Sequence, residues 1–337
     1  MLRAGLIGLG SMGRNHARVL KGLEGVELVG IVDPQVAAAG EPVMGVEVVG
    51  DLEELLALGI DYAVVACPTA LHHEVGLRLA EAGVAALIEK PLAKDPVEAQ
   101  GLLEAFESAG LVAGVGHIER YNPALQSLRA RLENGDLGEV YQVVTRRQGP
   151  FPQRISDVGV VLDLATHDID LTAWVSGQPF TSVAAQTFHK SENPHEDMVS
   201  IAGRLAGGVI TNHLVNWLSP FKERFTAVTG THGCFVADTL TADLTFHANG
   251  SDPIGWEAIA AFRGVSEGDS TRFALTKREP LLVEHERFRD AVAGLEGALE
   301  HIVTLRQGMR TVAVADAVLR SAAKGHSIDI DDVGRTV

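Results

Sequence analysis

The feature that most constrains this chain is a glycine-spaced turn near its start. The apolar run Leu2-Arg3-Ala4-Gly5-Leu6-Ile7 enters Gly8-Leu9-Gly10-Ser11-Met12-Gly13. Apolar positions then recur at Met12, His16/Ala17 and Val19/Leu20, the spacing of a helix with one buried face. Gly22 and Gly25 end that helix. Val26 to Val32 reads as a second strand, with Asp33 at its end. Each part has a physical task. Gly8 permits the tight turn, Gly10 lets backbone approach a pyrophosphate, and Gly13 lets the helix pack close on the sheet. Free N–H groups and the dipole at the helix start favour phosphate, so Gly8, Gly10, Ser11, Met12 and Gly13 are the expected cofactor contacts. Asp33, roughly 20 residues on, is placed to accept hydrogen bonds from ribose hydroxyls. A carboxylate there repels a 2′-phosphate, so the expected cofactor is NAD rather than NADP. Such a glycine motif alone is weak, and the flanking strand, helix and acid supply its context.

At 337 residues the chain has room for two domains. Its net charge of −16 argues against a nucleic-acid partner, which wants a basic face. Cys67 and Cys234 are the only cysteines; they cannot form a disulfide framework, and a reducing cytoplasm is the expected setting. No apolar stretch approaches the length of a membrane span, so no membrane partner is expected, and the first apolar run makes a better strand than a signal peptide.

Strand and helix alternate through the first third. Val46 to Val49 reads as a third strand, followed by Asp51 and Glu54 as the capping box of a short helix. Asp61 to Ala66 is a buried strand leading into Cys67-Pro68-Thr69, and a helix beginning near His72 ends at Gly83. Val84 to Ile88 delivers Glu89-Lys90-Pro91 at its carboxyl end. Asp95, Pro96 and Glu98 open a further helix that Gly110 closes, and Leu111 to Gly116 is a sixth strand. This pattern predicts a Rossmann-type, doubly wound parallel sheet over 1–119, the NAD-binding domain. Ligands lie outside the carboxyl ends of such strands, where Asp33, Cys67-Pro68-Thr69, Lys90 and His117 fall.

The pattern changes after His117. Asn122-Pro123 caps a helix to about Asn134, Glu139 to Arg147 reads as a strand, and Asp157 to Val175 as a helix ended by Gly177. Strand-like segments follow at Val183 to Phe188, Met198 to Leu205, Val209 to Trp217 and Phe225 to Thr229. Asn249 to Thr271 reads as loop with one or two short strands. Helices return at Val283 to Ala293 and Thr304 to Lys324, the latter with Thr304 and Gln307 as a capping box. The expectation over 120–337 is an α+β domain with a mainly antiparallel open sheet.

Three groups suit redox chemistry on an alcohol. Lys90 follows a sheet strand, while Asp163 and His167, four apart, share a face if their segment is helical. A dehydrogenase needs a base for the hydroxyl proton, and histidine titrates near neutrality; an ammonium can stabilise the developing alkoxide. Structural roles remain open: Lys90 as a solvated charge, Asp163 as a partner holding His167. Asp168 and Asp170 could face solvent or the domain seam. His167-Asp168-Ile169-Asp170 has the ligand types of a metal site, but adjacent helical residues point about 100° apart, so one ion cannot collect them all; no metal is expected. His72 could line the cofactor or face solvent. His117, Arg120 and Tyr121 could reach substrate or form a hinge. Arg146, Arg147 and Arg154 flank Gly149-Pro150-Phe151-Pro152 and could grip an anionic group such as a diphosphate, or lie along a solvated strand edge. Cys67 reads as a small buried residue.

Together these pieces resemble the glucose-fructose oxidoreductase, inositol dehydrogenase and rhizopine-catabolism (Gfo/Idh/MocA) family over essentially the whole length. The resemblance rests on Gly8 to Gly13, Pro68-Thr69-Ala70-Leu71-His72, Glu89-Lys90-Pro91, Gly116 to Pro123, and Asp163 with His167. It implies that Lys90, Asp163 and His167 form the catalytic group and that Pro91 follows a cis peptide. It implies cofactor contacts from Cys67, Pro68, Thr69, His72, Glu89 and Lys90, and substrate contacts from His117, Arg120, Tyr121, Arg147, Arg154, Asp163 and His167. It also implies a homodimer or homotetramer built through the C-terminal sheet. Within the family, 116–123 and 161–170 look most like the UDP-N-acetylglucosamine 3-dehydrogenase subgroup. The resulting expectation is NAD-dependent oxidation of a secondary hydroxyl of a sugar or nucleotide sugar. The alternatives are an inositol or free-sugar dehydrogenase and, from another class, a non-catalytic NAD-binding regulator, against which the set Lys90, Asp163 and His167 argues.

Overall fold

The computed structural model describes residues 1–38, 42–151, 158–190, 194–250 and 267–330. Two compact units divide the chain. The first takes Met1–Ile118 and also Glu279–Asp316; the second takes Glu119–Arg278 and Ala317–Asp331. A single cut at residue 119 therefore does not describe the division, because 279–316 carries core side chains of the first unit.

In the first unit, strand β1 (Leu2–Ile7) leads through the glycine turn into helix α1 (Ser11–Gly22) and then β2 (Val26–Val32). The remaining strands are β3 (Val48–Val49), β4 (Tyr62–Val65), β5 (Ala85–Glu89) and β6 (Ala113–Gly116). Their order is β3-β2-β1-β4-β5-β6, and every pairing is parallel. The order reverses beside β1, which opens a crevice beyond the carboxyl ends of β1 and β4. One face buries Ile7, Val65, Ile88, Leu102 and Phe106 with Val303, Met309 and Val312; the other buries Leu6, Leu20 and Tyr62 with Phe288 and Ile302. The late segment thus completes both layers, and Phe288 meets Tyr62 edge-on with centroids 5.5 Å apart. The third strand is shorter than its sequence suggests. Met44 and Gly45 take positive φ, and Val43 bridges back to Val46, so only Val48–Val49 joins the sheet.

Capping follows the side chains that signalled it. Asp51 accepts from the Glu54 N–H at 2.9 Å. Asp95 accepts from Val97 and Glu98, Asn122 from Ala124, and Thr304 and Gln307 bond reciprocally.

Among the described residues the second unit carries nine strands: β7 (Val140–Pro150), β8 (Phe180–Phe188), β9 (Met198–Leu205), β10 (Ile210–Asn216), β11 (Leu218–Gly230), β12 (Gly233–Asp238), β13 (Asp243–Asn249), β14 (Glu267–Arg272) and β15 (Ile328–Asp329). They run β14-β13-β12-β11-β7-β10-β9-β8-β15. All pairings are antiparallel except β7 with β10. The stretch Asn249 to Thr271 contributes β14 at its end; residues 251–266 lie outside the described residues. The helical segment ahead of β8 begins with a π-helical turn, Val161–Ala165, that continues as Thr166–Ser176, and Gly177 closes it at φ 65°. No helix among the described residues is long and apolar enough to cross a membrane.

Candidate active site

The glycine turn has the geometry that a dinucleotide needs. At Gly8 φ is +96°, and a Cβ would lie 2.7 Å from the Ala66 carbonyl oxygen; at Gly13 a Cβ would lie 2.0 Å from the Gly8 oxygen. Only glycine lets α1 start this close to the sheet. Nothing lies within 4 Å of a Cβ built at Gly10, Gly10 and Ser11 are exposed, and Met12 is half-buried. No side chain caps α1, so among the described residues its first N–H groups face outward without a side-chain acceptor. That is a cradle for a pyrophosphate. Asp33 is fixed beside it: one oxygen accepts from the Leu9 N–H at 2.9 Å, and the other from Gln35 and Val36 at 3.1 Å each. Its carboxylate keeps lone pairs for ribose hydroxyls. The residues present fit NAD.

Behind the crevice, the loops after β4 and β5 are braced by His72. Its ring is buried, with Nδ1 2.9 Å from the Pro91 carbonyl and Nε2 3.0 Å from the Cys67 carbonyl. A neutral ring donates to only one of these two carbonyls at a time, and His72 sits between the loops that carry them. Burial holds its pKa below the ordinary value against those carbonyls. Burial likewise pushes the Cys67 thiol up to about 12, which removes it as a nucleophile. Thr69 is buried and Pro68 exposed on the same turn. Lys90 is half-buried, and its bond to Pro91 is cis. The Glu89 side chain faces into the unit, and His117 is buried at the end of β6.

In the second unit Asp163 is buried on the π-helical turn, and His167 is half-buried four residues on. Their segment is held by Glu196, a residue that the sequence reading missed. Its Oε1 accepts from the Val161 N–H at 2.9 Å, and its backbone oxygen accepts from the Val160 N–H at 3.0 Å. A Cβ at Gly159 would lie 2.1 Å from that carboxylate. No periodic signal marks Glu196, because its role is to cap a turn distant in sequence.

The arginines and acids around this segment depart from expectation. Arg120 makes a bidentate pair with Asp170, at 2.8 and 2.6 Å. Arg147 bonds Asp168 at 2.8 Å and Glu119 at 2.7 Å. All but Glu119 are buried. Asp168 and Asp170 therefore do not face solvent. Arg120 and Arg147 are held by these carboxylates, as buried guanidinium groups must be matched. The two carboxylates outweigh burial and keep Arg147 charged; burial opposes charge on Glu119, and Arg147 nevertheless holds it below the usual range. Arg146 pairs with Glu223 at 2.9 Å and lies over the Phe225 ring. Arg154 lies outside the described residues, and Tyr121 is buried. Arg224 was also missed. Its Nη1 is tied to the Gln148 and Glu223 carbonyls at 2.8 Å, and burial, then Arg147, lowers its pKa while Asp163 and the nearby acids oppose this.

Comparison with known proteins settles the family. A profile described as "Oxidoreductase family, NAD-binding Rossmann fold", of the Gfo/Idh/MocA group, matches residues 2–117. The Gfo/Idh/MocA C-terminal domain profile matches 125–236. The chain belongs to the Gfo/Idh/MocA family. Its first unit is an NAD-binding domain, and the chain is a dehydrogenase acting on CH–OH groups. It is 28% identical over 294 residues to UDP-N-acetylglucosamine 3-dehydrogenase of Acidithiobacillus ferrooxidans, covering 87% of this chain and 89% of that one. It is 27% identical to inositol 2-dehydrogenase of Rhizobium meliloti, covering 98% and 99%. A solved structure of the A. ferrooxidans enzyme superposes with a TM-score of 0.80, covering 96% of this chain and 98% of that one.

Proposed function

We propose that this dehydrogenase oxidises a secondary hydroxyl of a sugar or nucleotide sugar, of which the 3-hydroxyl of a UDP-N-acetylglucosamine-type substrate is the leading case. The observation that carries the reading is the aspartate–histidine pair on one helical segment, buried Asp163 ahead of half-buried His167, in a chain similar over most of its length to a UDP-N-acetylglucosamine 3-dehydrogenase. His167 takes the hydroxyl proton, Asp163 orients the imidazole and supports its positive charge, and Lys90 donates a hydrogen bond to the reacting oxygen. Bound NAD supplies the hydride acceptor. Gly8 to Gly13 and Asp33 hold it, with Cys67-Pro68-Thr69 and Lys90 along the crevice.

One observation favours a second reading, an inositol or free-sugar dehydrogenase. Of Arg146, Arg147 and Arg154, the cations expected to meet a diphosphate, Arg147 is committed to Asp168 and Glu119 and Arg146 pairs with Glu223, while Arg154 lies outside the described residues. Incubation with NAD and a panel of UDP-sugars, inositols and hexoses, followed by NADH absorbance, separates the two. Highest kcat/KM for UDP-N-acetylglucosamine supports the first; highest kcat/KM for an inositol or hexose replaces it with the second. The same proposal includes self-assembly through the second unit's sheet, whose strands expose Tyr141, Phe188 and Ile210. A monomer mass in solution would refute that part.

A further inference from the structure

Beneath the glycine turn of the first unit lies a buried set of titratable side chains that the proposed chemistry does not use: His16 on α1, Glu89 at the end of β5, and Glu284 and His285 on the helix Pro280–Val292. His16 and His285 are fully buried, Glu284 is 1% exposed and Glu89 7%. Glu89 Oε2 accepts the Lys90 peptide N–H at 3.0 Å, and its Oε1 is 2.9 Å from His16 Nε2. His16 Nδ1 is in turn 2.8 Å from His285 Nε2, with the two rings nearly perpendicular. We infer that His16 and His285 are positioning residues for Lys90, acting through the one buried carboxylate that grips both the Lys90 peptide and the His16 ring.

The hydrogen-bond chain has a consistent direction. With the His16 Nε2–H donating to Glu89, Nδ1 accepts from the His285 Nε2–H. The chain ends at His285 Nδ1, which has no partner among the described residues. Burial opposes the Glu89 charge, but the His16 hydrogen bond, the Lys90 charge and the Lys90 peptide N–H hold its carboxyl below the usual range. Burial keeps His285 neutral. Burial, then the Glu89 charge, keeps Glu284 protonated. Glu89 is thus the acid of the set that carries charge, and a charged acceptor binds a peptide N–H more tightly than a neutral one. The neighbouring strand leaves room for it: a Cβ at Gly116 would lie 3.1 Å from the Glu89 carboxyl carbon. Stability alone does not account for the set, since well-packed apolar side chains serve a core at least as well as buried ionic ones. What the set adds is a fixed link between the helix that opens at the pyrophosphate cradle and the first peptide of the lysine loop.

This inference rests on the reading of Lys90 as a group that touches the reacting oxygen. The test compares His16→Phe, which keeps a ring and removes both nitrogens, with His16→Gln, whose amide still reaches Glu89. Selective 15N-lysine labelling, with the Lys90 peak assigned by its loss in Lys90→Arg, reports the peptide N–H directly. In His16→Phe the Lys90 amide proton is expected to move upfield. There kcat should fall by about tenfold or more while the NADH dissociation constant stays within about threefold, and His16→Gln should restore both readings in part. An unmoved Lys90 resonance, a moved resonance with unchanged kcat, or a change confined to KM overturns the inference. If His16→Phe does not fold, Glu89→Gln is judged by the same two readings. If the wild-type enzyme turns over none of the sugars, the functional reading has failed, and the Lys90 resonance alone decides the positioning claim.

Discussion

Glu284 should make the protein less stable as the pH rises, and Glu284→Gln should abolish that slope. Glu284 is 1% exposed, and neither of its carboxylate oxygens has a hydrogen-bond partner among the described residues. Burial, reinforced by the Glu89 charge, raises its pKa well above the ordinary value. In the unfolded chain the same group titrates near about 4.3. Between those two pKa values the native state holds a proton that the unfolded state does not, so stability falls by about 1.4 kcal/mol per pH unit. The contribution is complete below the unfolded pKa and is lost as pH rises through the folded one. His72, His213 and His285 are shifted down by burial and act in the opposite sense. Their unfolded pKa is about 6.5, so they contribute slope only below it. Denaturant unfolding of wild type and Glu284→Gln, compared from about pH 5 upward, should therefore show the variant gaining about 1.4 kcal/mol over wild type per pH unit until the folded pKa is passed. The glutamine amide adds an unpartnered donor whose cost does not vary with pH, so the slope and not the offset is the prediction. Parallel pH profiles for the two proteins would refute the reasoning.

Two further outcomes follow from the site. Asp33→Ala removes a charged acceptor from the expected ribose position and should weaken NADH binding by about 1.5–3 kcal/mol while narrowing the preference over NADPH; fluorescence titration with both cofactors checks it, and a wild type that prefers NADPH would sink the Asp33 argument. Gly159→Ala drives a Cβ into the Glu196 carboxylate and should lower stability by about 1–3 kcal/mol, with kcat reduced more than NADH affinity; thermal unfolding and steady-state kinetics read the two effects.

The first unit was legible because its signals are local. Gly8, Gly13, Asp33, Asp51, Asp95 and the Thr304–Gln307 box each act on backbone within a few residues or at one defined turn, so spacing alone points to their roles. What was not legible depends on contacts distant in sequence. Asp168 and Asp170 look like surface acids until Arg147 and Arg120 close over them from other elements. The helix Pro280–Val292 shows its own periodicity but not that Phe288 fills the first unit's core. His16 did carry a signal: it occupies an apolar position in the buried stripe of α1, where an imidazole needs a partner. That partner, Glu89, is 73 residues away, which no local pattern reports. Glu196 lacks even that signal.

The central claim is that Lys90 and His167 carry out NAD-linked oxidation of a sugar hydroxyl. Its most direct measurement is NADH formation by wild type, Lys90→Ala and His167→Ala on the best substrate of the panel, with NADH binding measured in parallel. The account predicts turnover in the wild type and a loss of about a hundredfold or more in each variant, with NADH binding retained. Near-normal turnover in both variants, or tight NAD binding with no turnover of any sugar by the wild type, would contradict it.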